Sequence, residues 1–306
     1  MLPVRLFKKY ADASRLQFPG LIGVDCEGRQ LGRFGKVELL TISAPTGIFI
    51  FDINADPALM NILRPVLASR EIVKIFHDCR EDASALLHVH TAPLLNVWDS
   101  QVAHNAVLER EGCAAYQSSV EALSRIYGMK DFEVPALPGN FKISPGTIQY
   151  AASGVSPLAN LFSEISRSLG DDDGSAMIAR SESYAIDYPK MNLSEIPEVS
   201  SLRPGLHLQG VLAHVTDSRV IFRLNLGNIS GVAKHAKWLN ACNVGDVVNL
   251  EISSDGLSAC GKYLSVAARG EASGAVLVEK NGEIHAFDPS KVSKPKVVKN
   301  SLRGFQ

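Results

Sequence analysis

The sequence predicts a mixed α/β domain followed by a small all-β barrel, and three observations carry that reading. Residues 20–54 have the pattern of a strand meander and pass into alternating helices and strands up to about residue 170. From about residue 205, five short strand patterns crowd into about 65 residues. Between them, residues 171–204 change character, with GDDDGS at the start and Pro189, Pro197 and Pro204 along the stretch. A chain of 306 residues agrees with two domains, and 46% hydrophobic against 21% charged residues is the balance of a chain that buries a core.

The elements follow in order. MLPVRLFKKYADASRL carries Arg5, Lys8, Lys9 and Arg15 against Asp12; it lacks the apolar run of a secretory signal and reads as a surface helix leading into the first strand. GLIGVDCEG, VELLTISAP and GIFIFDI are strands, the last two separated by the turn residues Pro45, Thr46 and Gly47. PALMNILRPVLAS has helical spacing with a proline in its first turn. The short strand IVKIFHD leads into the helix REDASALLHV, where Ala85, Leu86 and Val89 mark the inward face and Asp82 lies near it. LLNVWDSQVAHNAVLE is another strand-to-helix passage with Asp99 as N-cap, and Ser118 or Ser119 caps the helix SSVEALSRIYG. His77, Asp78 and Asp99 read as local structure.

The domain reading is 1–170 for the α/β part, 171–204 for a linker, 205–270 for the barrel, and 271–306 for a hairpin and basic tail. Tyr184, Tyr188 and Met191 give the linker apolar anchors for wrapping onto the first domain. Asn281-Gly282 between AVLVE and EIHAF is a hairpin signal. The tail from Asp288 carries Lys291, Lys294, Lys296, Lys299 and Arg303. A formal net charge of −1 does not advertise a nucleic-acid partner for the chain as a whole. The five cysteines have no CxxC spacing, which favours free thiols in a reducing intracellular compartment over a cysteine-bound metal. No apolar run reaches the length of a membrane span, so no membrane partner is expected.

The chemistry sits in the acids. Alternate residues of a strand share a face, so Asp25 and Glu27 point the same way. Two such carboxylates at a strand end repel each other unless a cation neutralises them, and hard oxygen ligands suit Mg²⁺ or Mn²⁺. Taken alone this pair is equally the pattern of two solvated acids, and Asp82 that of a first-turn acid complementing a helix dipole.

The ordered set IGVDCEG, VKIFHDCREDASALL, VWDSQVA, SVEALSRIYG and IQYAA resembles the 3′–5′ exonuclease superfamily with four acidic ligands, over roughly residues 15–168. It is most similar to the ribonuclease D branch and, within it, to the subgroup containing Egalitarian and the exonuclease-domain proteins of small-RNA pathways. The resemblance implies a ribonuclease H-like fold with a mixed sheet flanked by helices. It further implies that Asp25 bridges two metal ions, Glu27 binds the first, Asp82 supports the second through water, and Tyr150 orients the attacking water. The family's fourth acid follows the tyrosine by four residues; here that position is Gly154, and Pro157 beside it suggests a relaxed helix start. Glu164 would lie about 15 Å further along a helix, too far to substitute. Loss of one ligand predicts weakened metal binding and impaired hydrolysis.

LQGVLAHV, VIFRL, GNISGVAKH, VGDVVNLEIS and GKYLSV are similar to the S-one RNA-binding domain, an OB-type barrel, matching at Gly210, Phe222, Gly231, His235 and Val244-Gly245-Asp246. That resemblance implies stacking of bases on Phe222 and His235, with Arg223, Lys234 and Lys237 near phosphates. Val220, Phe222 and Leu224 alternate on one strand face, which equally allows Phe222 to be core. The expectation is an RNA-binding protein with a degenerate exonuclease fold, working with other proteins of a ribonucleoprotein. The alternatives are an active metal-dependent 3′–5′ exoribonuclease and a protein-interaction module without RNA contact.

Overall fold

The computed structural model describes residues 2–28, 31–33, 35–113, 115–136, 141–170, 174–190, 202–215, 219–224, 230–234, 242, 246–257, 263–268, 276–280 and 283–287. The chain forms two units, 1–107 with 118–191 and 108–117 with 192–306. Among the described residues, no helix is long and apolar enough to cross a membrane.

In the first unit, β1 (Val4–Phe7), β2 (Leu21–Glu27), β3 (Leu39–Ala44), β4 (Gly47–Asp52), β5 (Val73–Phe76) and β6 (Val97–Asp99) make one sheet in the order β1-β4-β3-β2-β5-β6. Only β3 runs against its neighbours, so the other five strands end along the same edge. Both faces are covered: every residue of β3 and β4 is buried, and β4 carries the apolar run Ile48–Phe51 in place of alternation. Phe49 and Phe51 point into a core shared with α2 (Met60–Leu67) and α3 (Arg80–His90). Ile48 and Ile50 point into a second core, with Ala151 and Val155 of α6 (Pro145–Val155) and Leu158, Leu161 and Ile165 of α7 (Leu158–Leu169). Each such fully buried side chain contributes about 1.5–3 kcal/mol. The helices α4 (Ser100–Arg110) and α5 (Val120–Ile126), the latter capped by the Ser119 hydroxyl, complete the layer beside Trp98.

Three sequence expectations need correction here. The N-terminus is a strand, β1, parallel to β4, and only α1 (Tyr10–Ala13) is helical. Four residues are too few to show a period, and the strand is held by Phe7 stacking on Phe51 at 5.4 Å. Val89 is exposed, whereas Ala85 and Leu86 are buried as expected. The stretch read as linker contains α8 (Gly174–Glu182), a π-helical turn over Ser183–Asp187, and α9 (Tyr188–Lys190). Tyr184 and Tyr188 are buried anchors, with Arg80 of α3 beneath their rings at 4.5 and 5.9 Å. Met191 lies outside the described residues.

In the second unit, β7 (His207–Val215), β8 (Arg219–Leu224), β9 (Ser230–Lys234), β10 (Val247–Leu257) and β11 (Tyr263–Ala268) close into a five-stranded barrel. The closing pair, β9 with β11, is parallel and all other pairs are antiparallel, a topology consistent with an OB-type barrel. Gly210 faces the interior, where a Cβ would meet Leu250 at 2.6 Å and Phe222 at 2.9 Å. Asp255-Gly256 lies within β10, which continues to Leu257 through a shift in its pairing register with β11. The expected hairpin is present as β12 (Val276–Lys280) paired with β13 (Glu283–Phe287). The basic tail lies outside the described residues.

Candidate active site

Asp25 and Glu27 stand at the carboxyl end of β2 on one face, as their spacing predicts, while Val24 and Cys26 enter the core shared with α3. The two carboxyl groups are neighbours, and each perturbs the titration of the other. Glu27 is buried, with Asp25 partly so. Asp82 arrives on the first turn of α3, also buried, and its Oδ1 has no hydrogen-bond partner. Burial, then the charge of Asp82, pushes the Cys26 thiol up, an influence that the sequence reading did not anticipate.

The entry to α3 is fixed by Asp99. Its carboxylate accepts from the amides of Asp78 at 3.1 Å and Cys79 at 2.8 Å, and from Gln101 at 2.9 Å and Val102 at 3.3 Å in the first turn of α4. It is therefore the N-cap the sequence predicts and, in addition, the tie between two strand–helix turns. Asp78 has a left-handed backbone, φ 53°, and its carboxylate takes both Nε and Nη2 of Arg80 at 2.6 and 3.1 Å. His77 donates from Nε2 to the Ser118 carbonyl at 2.9 Å and accepts from the Ser100 hydroxyl at 2.9 Å, a local structural role.

Burial and mutual repulsion hold the acids above the usual carboxylate range. For Asp25 the cause is desolvation, opposed by the neighbouring Glu27 carboxyl and the Cys26 amide. For Glu27 it is desolvation, then the charges of Asp25 and Asp82. For Asp82 it is desolvation, then Asp25 and Asp78. Tyr150 of α6 is raised as well, by burial and then by the charges of Glu27 and Asp25. The arrangement thus brings together Asp25, Glu27, Asp82 and Tyr150.

Gly154 lies one turn beyond Tyr150, near the end of α6. The helix is fully formed there: Ser144 caps it with its hydroxyl at 3.1 Å from the Thr147 amide, and Pro145 opens the first turn. The relaxed helix start expected near Gly154 is absent; Pro157 is the N-cap of α7. A Cβ added at Gly154 would fall far inside contact distance of Asp25 Oδ2, and 3.1 Å from its Cγ. Glu164 is bonded to Arg167 on the exposed side of α7 and does not enter the site.

A metal would satisfy the orphaned Asp82 oxygen and relieve the repulsion among the acids. Against that, Asp25 is turned toward α6, and no carboxylate comes from position 154. Among the described residues, no group of three or more His, Cys, Asp or Glu is placed to hold a metal ion. The residues as arranged do not fit a two-metal centre.

In the barrel, Phe222 is fully buried among Leu208, Leu212 and Leu250, so it cannot present a face to a base; this corrects the expected stacking role. The alternation of Val220, Phe222 and Leu224 already contained that outcome. Arg223 is partly exposed and Lys234 exposed, and Arg219 pairs across from Lys234 on the outer face of β8 and β9. His235 and Lys237 lie outside the described residues.

Comparison with known proteins bears on the first unit. Residues 4–169 match the family model of the 3′–5′ exonuclease domain. The mouse piRNA biogenesis protein EXD1 is 34% identical over 85 residues, 27% of this chain and 15% of that protein. The Caenorhabditis elegans Egalitarian protein homolog is 32% identical over 89 residues, 28% of this chain and 16% of that protein. The matched stretch is thus a small part of either relative. Among solved structures, Trypanosoma brucei RNase D in complex with RNA U12 is similar with 19% identity and a TM-score of 0.47, covering 70% of this chain and 77% of that one. The exonuclease match takes in more than half of the sequence and all of the acids described above, and the chain belongs to the 3′–5′ exonuclease family.

Proposed function

We propose that this protein binds RNA through an exonuclease fold whose hydrolytic site is degenerate, and that it serves as an RNA-holding component or scaffold of a ribonucleoprotein. The observation that carries the reading is Gly154. It stands where the family's fourth acid would be, and the Asp25 carboxylate has turned into the space beside it. The family generally uses divalent metal ions, Mg²⁺ or Mn²⁺ being the fitting choice for carboxylate ligands. Here the remaining ligands are Asp25, Glu27 and Asp82, which would hold such an ion weakly. The names of the relatives, a piRNA biogenesis protein and an Egalitarian homolog, support RNA as the ligand class. Arg219, Arg223 and Lys234 on the outer face of β8 and β9 offer charge to phosphates. Cys26 and Cys79 are free, buried thiols, in keeping with a reducing compartment inside the cell.

The deciding experiment follows 3′-end-labelled single-stranded RNA with Mg²⁺ and with Mn²⁺. The expected result is a salt-sensitive gel shift without shortening. Metal-dependent shortening that Asp25→Ala abolishes would overturn the degenerate reading. It would favour the second one, an active exoribonuclease working with three acids, for which the convergence of Tyr150 on Asp25 and Glu27 speaks. Absence of any shift at low salt would point to a protein-interaction module instead.

A further inference from the structure

Asp25 and position 154 compete for one space. β2 aims the Asp25 side chain at the last turn of α6, where the helix presents a glycine. A Cβ there would overlap Asp25 Oδ2, come within 3.1 Å of Cγ, and reach ordinary contact with the Asp25 Cβ at 3.6 Å. The conflict therefore involves the carboxylate alone and spares both backbones. It also has a defined escape: Asp25 must rotate away from α6, out of the orientation it holds here.

We propose that Gly154 is a positioning residue, and that its missing side chain is what allows Asp25 to lie against α6. The acidic cluster is built around a glycine; it is more than a four-acid site with one acid removed. An aspartate cannot be added to the present arrangement, because its first atom occupies the place of the Asp25 carboxylate. Restoring the fourth ligand requires two linked changes, a new side chain on α6 and a new orientation on β2. The inference rests on reading these acids as the remnant of the family's site, and is independent of whether the protein binds RNA.

A double-mutant cycle separates this steric coupling from the helix preference of the new residue. Gly154 lies within α6 with no left-handed φ, so alanine suits its backbone and would by propensity alone raise the folding equilibrium constant about fivefold. Gly154→Ala is made in the parent and in Asp25→Ala, and urea unfolding is followed by the helical circular-dichroism signal. The expected result is a change of sign. Gly154→Ala lowers the unfolding midpoint when Asp25 is present and raises it when residue 25 ends at Cβ. An equal effect in both backgrounds, or a raised midpoint in both, would overturn the proposal. If Gly154→Ala fails to fold in the parent, the comparison of Asp25→Ala with the double variant still decides: a double variant less stable than Asp25→Ala refutes the coupling. No RNA enters this measurement, so its failure is distinct from failure of the RNA-binding reading, which the gel shift tests.

Discussion

Replacing Arg80 with methionine removes a charge from the interior while keeping much of the side-chain volume. The residue is 1% exposed, its guanidinium makes two bonds to the Asp78 carboxylate, and it lies under Tyr184 and Tyr188. Breaking a buried pair by removing one partner costs about 3–5 kcal/mol, because the other charge stays behind without it. The cation–aromatic contacts add about 0.5–2 kcal/mol. Methionine recovers some of this by filling the space of the lost stem, so the expected net loss is about 4 kcal/mol. With a urea dependence of about 2 kcal/mol per molar, the first unit should unfold about 2 M earlier. Circular dichroism reads this directly, since the helices belong to that unit. Arg80→Lys keeps the charge but loses the fork geometry and should cost about 1–2 kcal/mol. A loss below about 1 kcal/mol for Arg80→Met would refute the view that this buried charge organises the entry to α3.

Further outcomes follow from the same contacts. Gly154→Asp alone should leave RNA unshortened in Mg²⁺ or Mn²⁺ in a labelled-RNA assay, because Asp25 obstructs the restored side chain. Phe222→Ala should destabilise the barrel by about 3–5 kcal/mol in urea unfolding, whereas joint replacement of Arg223 and Lys234 by Glu should weaken RNA binding and flatten its salt dependence in gel shifts with little change in folding. His90 accepts from the Val37 amide at 3.1 Å through Nε2, and burial, then Lys36 and Arg64, depress its pKa. A depressed histidine favours the fold when neutral, so its contribution is present above its ordinary value of 6.5 and is lost as the pH falls from there toward the folded value. Unfolding midpoints at pH 7 and pH 5 should therefore converge in His90→Gln relative to the parent. Tyr188→Phe removes a 2.7 Å bond to the Glu81 carboxylate and should cost about 1.5–3 kcal/mol by the same urea assay.

The sheet and its acids were legible because their signals are local. β2 shows an apolar run ending in two carboxylates two residues apart, and that spacing alone puts Asp25 and Glu27 on one face. The barrel was legible from short strands, and the core role of Phe222 from the alternation around it. What stayed hidden depends on tertiary partners. β1 is four residues of edge strand whose pairing comes from β4, far along the chain. The 174–190 segment has proline and polar residues typical of a connection, yet it folds because two tyrosines find a buried arginine on α3. Asp99 was read as a cap, which is one half of its role; the other half needs the Asp78–Cys79 turn brought against it by β5 and β6 pairing. The relation between Gly154 and Asp25 could be read as a lost ligand but not as a shared space, since rotamers are set only once α6 is docked on β2.

The helical segment that covers Arg80 also determines where the first unit can be cut. The family match ends at residue 169, and a fragment trimmed there would look complete by comparison with relatives. It would carry Arg80 with its guanidinium stripped of Tyr184 and Tyr188, His88 without the Pro189 carbonyl it donates to at 2.7 Å, and the Asp99 amide without the Ser181 hydroxyl at 3.0 Å. Each of these would be a newly wetted polar group beside an apolar floor. A truncation before 190 should therefore give a weakened domain, so activity or binding measured on such a fragment would understate the intact chain.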